Sequence, residues 1–387
     1  MKMLRTFLVV ALMSVSAATV FGQDTKIRFF GQPELDFGKS KENNHFDGVS
    51  PTGQYIKRDT TYQSKSNFNT GNMVLFVTSQ LSDRISVLSE VSFNNKGQTF
   101  NFEVQRLMLR YYIQDYFSVR VGKMFTPLGF WNNQYTLGLV LQPTIQRPSV
   151  IRPLSEGGVL QYRDVGVQVE GENITSARIF YKLMIGNGIG YYGSSDKKDT
   201  HISGTGQVGF EPLDGFKILG SGMIDRMEKG KPTPSGAVVL PDNGNLLLFT
   251  ASAAYLNPEK KPEFIVEYLH QNSNFSTIKD SKSSGFYTYA GYRVADKITP
   301  YVLYNHVQAG KVGDPDLYFS PIPLKTNTMT LGIRYKFNAS FVYKLEYEYQ
   351  KQNFIYPEIT AGTVKLDDGF TNSTISNRVR MQFAFVF

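Results

Sequence analysis

The chain has no cysteine, a single tryptophan at Trp131, and only four histidines, His45, His201, His270 and His306. Without cysteine there is no disulfide framework and no thiolate site, so an exported chain of this length must close its fold by other means. The histidines lack the short spacings that bring two imidazoles onto one metal, and no metal ligand is assigned. No Gly-x-Ser-x-Gly element is present, and the chain is read as a non-enzyme without a cofactor. Gly204–Gly209, GTGQVG, spells a dinucleotide fingerprint, but a strand end and turn follow it where a helix is required. No block of like charge occurs. The formal charge of +8 is a mild excess, and the chain does not read as a nucleic-acid binder.

Long apolar runs are also missing. Nothing approaches the roughly 20 residues of a membrane helix. The one candidate lies at the start, where Lys2 and Arg5 precede an apolar run from Phe7 to Val15 and then small residues ending at Val20 and Gly22. That is the pattern of a secretory signal peptide over residues 1–22, with the mature domain over 23–387.

What the sequence does have is Phe, Tyr and Gly (29, 23 and 34 residues) and a pervasive period of two. In VRMQFAFVF, Val379, Met381, Phe383, Phe385 and Phe387 share one face, with Arg378, Arg380 and Gln382 opposite. In TMTLGIRYKF the apolar face is Met329, Leu331, Ile333, Tyr335 and Phe337, against Arg334 and Lys336. Such alternation marks strands with one apolar and one polar face. Seven very short turns rich in Asp, Asn, Pro and Gly, such as the one at Pro212–Gly215, alternate with eight longer polar connections, the first over about Gly38–Phe68. Strict alternation of the two demands sixteen strands.

Lipid offers no partner for backbone N–H and C=O, so a spanning sheet must close on itself, and an even strand number lets first and last strands pair antiparallel. The fold class is therefore all-β: a 16-stranded antiparallel transmembrane β-barrel in a Gram-negative outer membrane, with short periplasmic turns and long extracellular loops. The chain stops inside its last strand, on Phe387. Met381, Phe383, Phe385 and Phe387 resemble the C-terminal signal of outer-membrane proteins, which implies the barrel assembly machinery as a partner. A barrel of this size leaves a water-filled lumen. The reading is a porin, a diffusion channel for small hydrophilic or anionic solutes, with an adhesin or structural barrel of narrow or closed pore as the alternative.

Resemblance adds detail. The segment VRVGKMFTPLGFWNN, Val119 to Asn133, resembles the strand-to-loop segment of the phosphate-selective porin O/P-like family, met here by Val121, Gly122, Lys123, Pro127 and Gly129. The resemblance implies a third loop folded into the barrel and a lumen that favours anions. It covers the strand motif and not a phosphate-coordinating set. Sixteen-stranded porins also imply a homotrimer surrounded by outer-membrane lipid and lipopolysaccharide.

Arg106, Arg110 and Arg120 alternate with apolar neighbours on the two strands before that loop and are expected to point into the lumen. Lys123 joins them through the motif, and Arg147 and Arg152 through the third loop. Arg178, Lys182, Arg334, Lys336, Arg378 and Arg380 complete a basic wall. Rings of Arg or Lys raise the local anion concentration. Pairing with Glu90, Asp164, Glu170, Glu267, Glu346 and Glu348 would reduce that to a weak preference.

Overall fold

The computed structural model describes residues 24–31, 33–36, 41–49, 55–63, 67–96, 99–135, 141–152, 160–188, 202–229, 242–275, 280–309, 325–355, 358–360, 363–365 and 371–387. The signal peptide lies outside them. Alternation converts directly into strands: β1 is a broken strand over Thr25–Gly31, Glu34–Asp36 and Lys41–Val49, and β2 runs over Tyr55–Gln63, Asn67–Asn69 and Asn72–Gln80. Then come β3 (Ile85–Lys96), β4 (Thr99–Gln114) and β5 (Phe117–Phe125), followed by a short helix α1 (Phe130–Tyr135). β6 (Arg163–Ile174), β7 (Ile179–Gly186), β8 (Ser203–Leu213), β9 (Phe216–Met227), β10 (Gly244–Leu256) and β11 (Pro262–Phe275) follow. β12 (Ser281–Tyr292), β13 (Ile298–Ala309), β14 (Lys325–Asn338), β15 (Phe341–Ile355) and β16 (Thr371–Val386) complete the sheet.

Each strand pairs antiparallel with its neighbour in sequence, and the barrel closes between β1 and β16, where Phe30 opposes Val386 and Glu34 opposes Gln382. The terminal residue belongs to this seam. Phe29 N donates to Phe387 O at 2.9 Å, Phe387 N donates to Phe29 O at 3.0 Å, and the two rings stack at 5.5 Å. A chain end that completes a ladder satisfies backbone groups that lipid could not.

The two faces are inverted relative to a water-soluble protein. On β7, Leu183 and Ile185 are 55% and 62% exposed, while on β15 Lys344 and Glu346 are 0% and 1% exposed. An apolar exterior around a polar interior is the arrangement a hydrocarbon solvent selects. One group of outward aromatics gathers near the short turns, and a second, including Phe249, Tyr268, Phe286 and Tyr304, lies further along the strands. Phe337 stacks on Phe341 at 4.6 Å, Tyr343 meets Phe383 at 5.0 Å, and Phe385 stacks on Phe387 at 6.1 Å, as in an interfacial girdle. Tyr111, Tyr112, Tyr116 and Phe117 are exposed at the same end.

One long connection departs from its reading. The polar stretch 38–68 contains a β-ribbon in which Lys41–Val49 pairs with Tyr55–Gln63 and also with Thr371–Asn377 of β16. Its polar composition hid a strand extension. Outside the hydrocarbon no solvent selects one face over the other, so a strand there need not keep the period of two.

Candidate functional site

Residues 126–162 connect β5 to β6, and their described parts lie inside the barrel. The entry is set by Gly129, whose φ of +68° and closeness to Glu267 exclude a side chain: a Cβ there would meet the carboxylate at 2.5 Å. Gly129 N donates to Ser221 Oγ at 2.8 Å, and Gln207 Nε2 donates to Gly129 O at 3.1 Å. Phe130 N, at the start of α1, donates to Glu267 Oε2 at 2.5 Å, and Ser252 Oγ donates to the same oxygen at 2.8 Å. Lys182 Nζ donates to Asn133 Oδ1 at 3.0 Å. Further along, Ser149 N donates to Asn305 Oδ1 at 3.2 Å, Ile145 N donates to Glu346 Oε1 at 2.6 Å, and Lys344 Nζ donates to Thr144 O at 3.2 Å. Polar side chains from β8 to β15 thus satisfy loop backbone groups, as a buried loop requires, and Lys182 of β7 holds a loop side chain.

Beneath these latches is an apolar seat. Leu128, Phe130, Trp131, Tyr135, Val150, Ile151 and Leu160 form one buried cluster with inward side chains of β9 to β13, among them Met223, Leu248, Ile265, Leu269, Tyr287 and Leu303. Trp131 is fully buried, edge-on to Tyr135 at 5.0 Å and to Tyr287 at 5.5 Å. Burial in this seat pushes the Tyr135 hydroxyl well above its ordinary pKa.

The opposite wall, β3 to β7, is basic and open. Arg106 points inward, bonded to Glu90 at 2.9 Å with its guanidinium 4.7 Å from the Phe125 ring centroid. Arg110 and Arg120 are cross-strand partners, and both reach Glu170 Oε1, at 3.4 and 2.5 Å. A cavity of about 260 Å³ lies between this wall and α1 at the short-turn end, lined by Arg110, Arg120, Asn133, Glu170 and Lys182. A second, of about 310 Å³, adjoins Arg110 and Arg120 from the side of Lys26, Thr78 and Gln80.

The remaining predicted residues distribute as follows. Arg334 on β14 reaches both oxygens of Glu263, at 2.7 and 2.8 Å. Arg378 lies opposite Glu348 in register, and Arg380 bonds Glu348 at 3.1 Å. Lys336 is exposed at the short-turn end of β14. Arg147 stands 5.4 Å from the Tyr162 ring, and Arg152 is half-buried just after the turn of 3₁₀ helix Ser149–Ile151. Asp164 accepts from Asn187 N at 3.1 Å, Gly188 N at 2.8 Å and Ser203 Oγ at 3.1 Å, bracing the chain after β7.

Two placements are corrected. Lys123 shares the outward face with Val121, opposite Leu107 on one side and Val165 on the other. If Arg120 points inward, a residue three further along the strand must point outward. The motif, not the period, had put it in the lumen. Arg178 is not on the wall but in the short turn before β7, with φ of +48°, held by Glu211 at 3.4 Å and Asp214 at 2.6 Å.

Missed from the sequence were the seat and its latches Gln207, Ser221 and Lys344, and Glu267, expected as a counter-ion of the basic wall, instead accepts from Phe130 N of the loop. A signal was present in GNLLLFTASAAYL, where Leu246, Leu247, Leu248 and Phe249 are apolar at both parities. A barrel strand apolar on both faces needs an apolar partner inside.

No protein-family model matches the sequence, and no curated protein matches it either. Solved structures do match, over nearly the whole chain. The outer membrane channel DcaP of Acinetobacter baumannii has a TM-score of 0.57 at 10% identity, covering 94% of this chain and 97% of that one. The anion-selective porin from Comamonas acidovorans has a TM-score of 0.56 at 13% identity, covering 94% and 100%. OmpT of Vibrio cholerae, solved also in a trimer form, has a TM-score of 0.53 at 14% identity, covering 93% and 98%. The fold is that of the outer-membrane porins. With its lipid-facing exterior, the chain is an outer-membrane β-barrel.

Proposed function

We propose that the barrel is a non-enzymatic diffusion channel for small hydrophilic solutes with a weak anion preference. The observation that carries this is the asymmetry of the lumen. The seated loop covers the wall of β9 to β13, while cavities remain along the basic wall, where Arg110, Arg120 and Lys182 stand beside α1. The preference is weak because the arginines have carboxylate partners: Arg106 with Glu90, Arg110 and Arg120 with Glu170, Arg380 with Glu348. A wall of compensated charge stays wet and polar without holding ions tightly. Likeness to the phosphate-selective porin O/P-like family through Val119–Asn133, and assembly as a homotrimer, belong to this reading.

The test is osmotic swelling of liposomes carrying the purified protein, in neutral sugars of increasing size. Swelling with small sugars that falls off with solute size is the expected result. A second reading, an adhesin or structural barrel, draws support from the depth of the loop seat. A folded barrel that passes no sugar would decide for it.

A further inference from the structure

We infer that Glu170 is the residue that sets this channel's selectivity: a built-in counter-ion holding the place of an anionic solute between Arg110 and Arg120. The inference rests on the channel reading above and deepens it.

Arg110 on β4 and Arg120 on β5 oppose one another in register, so two guanidinium groups project into the lumen from adjacent positions. Like charges directly across a ladder repel unless a third group lies between them. Glu170, from the next strand, is that group. Its Oε1 takes both arginines, at 3.4 and 2.5 Å, and also accepts from Ser118 Oγ at 3.3 Å. Its Oε2 accepts from Gln168 Nε2 at 3.0 Å. The carboxylate is held from four sides and is almost wholly buried, whereas the two arginine side chains are 35% and 23% exposed. The fixed partner is thus the acid, and the solvent-facing groups are the bases. The two cavities described above both touch Arg110 and Arg120, which places this cluster where a solute would meet the basic wall.

An oxyanion that can offer two oxygens, carboxylate or phosphate, is what two convergent planar guanidinium groups recognise. Glu170 already fills the space between the two groups, with its Oε1 bridging both guanidinium groups and its Oε2 held by Gln168. It leaves one net positive charge, enough to favour anions in transit and too little to trap an oxyanion. The solute class that follows is small monovalent anions passing without a saturable site. Removing the acid's charge converts a conduit into a binder.

The experiment compares wild type, Glu170→Gln and Arg110→Gln in planar bilayers, measuring reversal potential in a KCl gradient and the block of chloride current by added inorganic phosphate. The amide keeps the size and one acceptor, so the barrel remains intact. Glu170→Gln is expected to raise chloride permeability and lower potassium permeability by about fivefold each, the Boltzmann weight of one unit charge at about 4 Å in water, so that the chloride-over-potassium ratio rises roughly 25-fold. It is also expected to introduce a saturable phosphate block that wild type lacks. Arg110→Gln is expected to move the ratio the other way, and Glu263→Gln, beside Arg334 on another part of the wall, to leave it unchanged. A conducting Glu170→Gln channel with wild-type selectivity and no phosphate block overturns the inference. So does an equal shift in Glu263→Gln, which would mean net charge acts without regard to place. A wild type that does not conduct overturns the channel reading itself, before any variant is compared.

Discussion

Truncating Trp131 to alanine should loosen the third loop and leave the barrel standing. The indole is fully buried and packs edge-on against Tyr135 and Tyr287. Removing a buried aromatic costs about 3–5 kcal/mol through lost transfer energy and the cavity left behind. Strand pairing does not use the indole, because the ladders of β9 to β13 are closed by backbone bonds between neighbouring strands. The loss therefore falls on the equilibrium between seated and unseated loop. At about 1.4 kcal/mol per decade, the unseated population rises by roughly a hundredfold to a few thousandfold. Single-channel recording reads this directly: wild type should hold a steady level, and Trp131→Ala should flicker to larger conductances. The barrel's thermal midpoint by circular dichroism should move little. Identical conductance and noise in the two proteins would refute the seat as the element that fixes the pore. A collapse of the thermal midpoint would show instead that the seat holds the wall together.

Other expectations follow from the same geometry. Deleting Phe387 removes two backbone bonds and a stacked ring from the closing seam, so the yield of folded barrel, read as the heat-dependent band shift on an unheated detergent gel, should fall steeply; an unchanged yield would remove Phe387 from closure. Gly332→Ala places a Cβ at 2.2 Å from the Tyr301 ring, and overpacking of this kind costs about 1–3 kcal/mol, so the thermal midpoint should drop. A midpoint equal to wild type would mean that Tyr301 can move away from the bonds it makes, including its 2.7 Å bond to Glu346.

The barrel was legible because lipid enforces a rule that sequence records. Every strand within the hydrocarbon must alternate, as Met329, Leu331 and Ile333 do against Thr330, Gly332 and Arg334. The terminal Phe was legible for the same reason. The rule lapses where lipid ends, and there the polar composition of Lys41–Gln63 reads as a loop although the backbone forms a ribbon. It lapses also inside the lumen, where nothing requires the inward face to be polar if a loop covers it. The double-sided apolar run at Leu246–Phe249 recorded that cover, but a period of two cannot say what lies within. Arg106, Arg110 and Arg120 were placed by alternation and point inward. Lys123 was placed by a motif and points outward. The sharing of Glu170 by two arginines could not be read at all, because it depends on the stagger between β4, β5 and β6.

The central claim is a conducting lumen biased toward anions by an incompletely compensated basic wall. The most direct test is the reversal potential of the wild-type protein in a planar bilayer under a KCl gradient. A modest potential of the sign set by chloride is the predicted result. A potential of the sign set by potassium, or no conductance from a barrel shown to be folded, would contradict it.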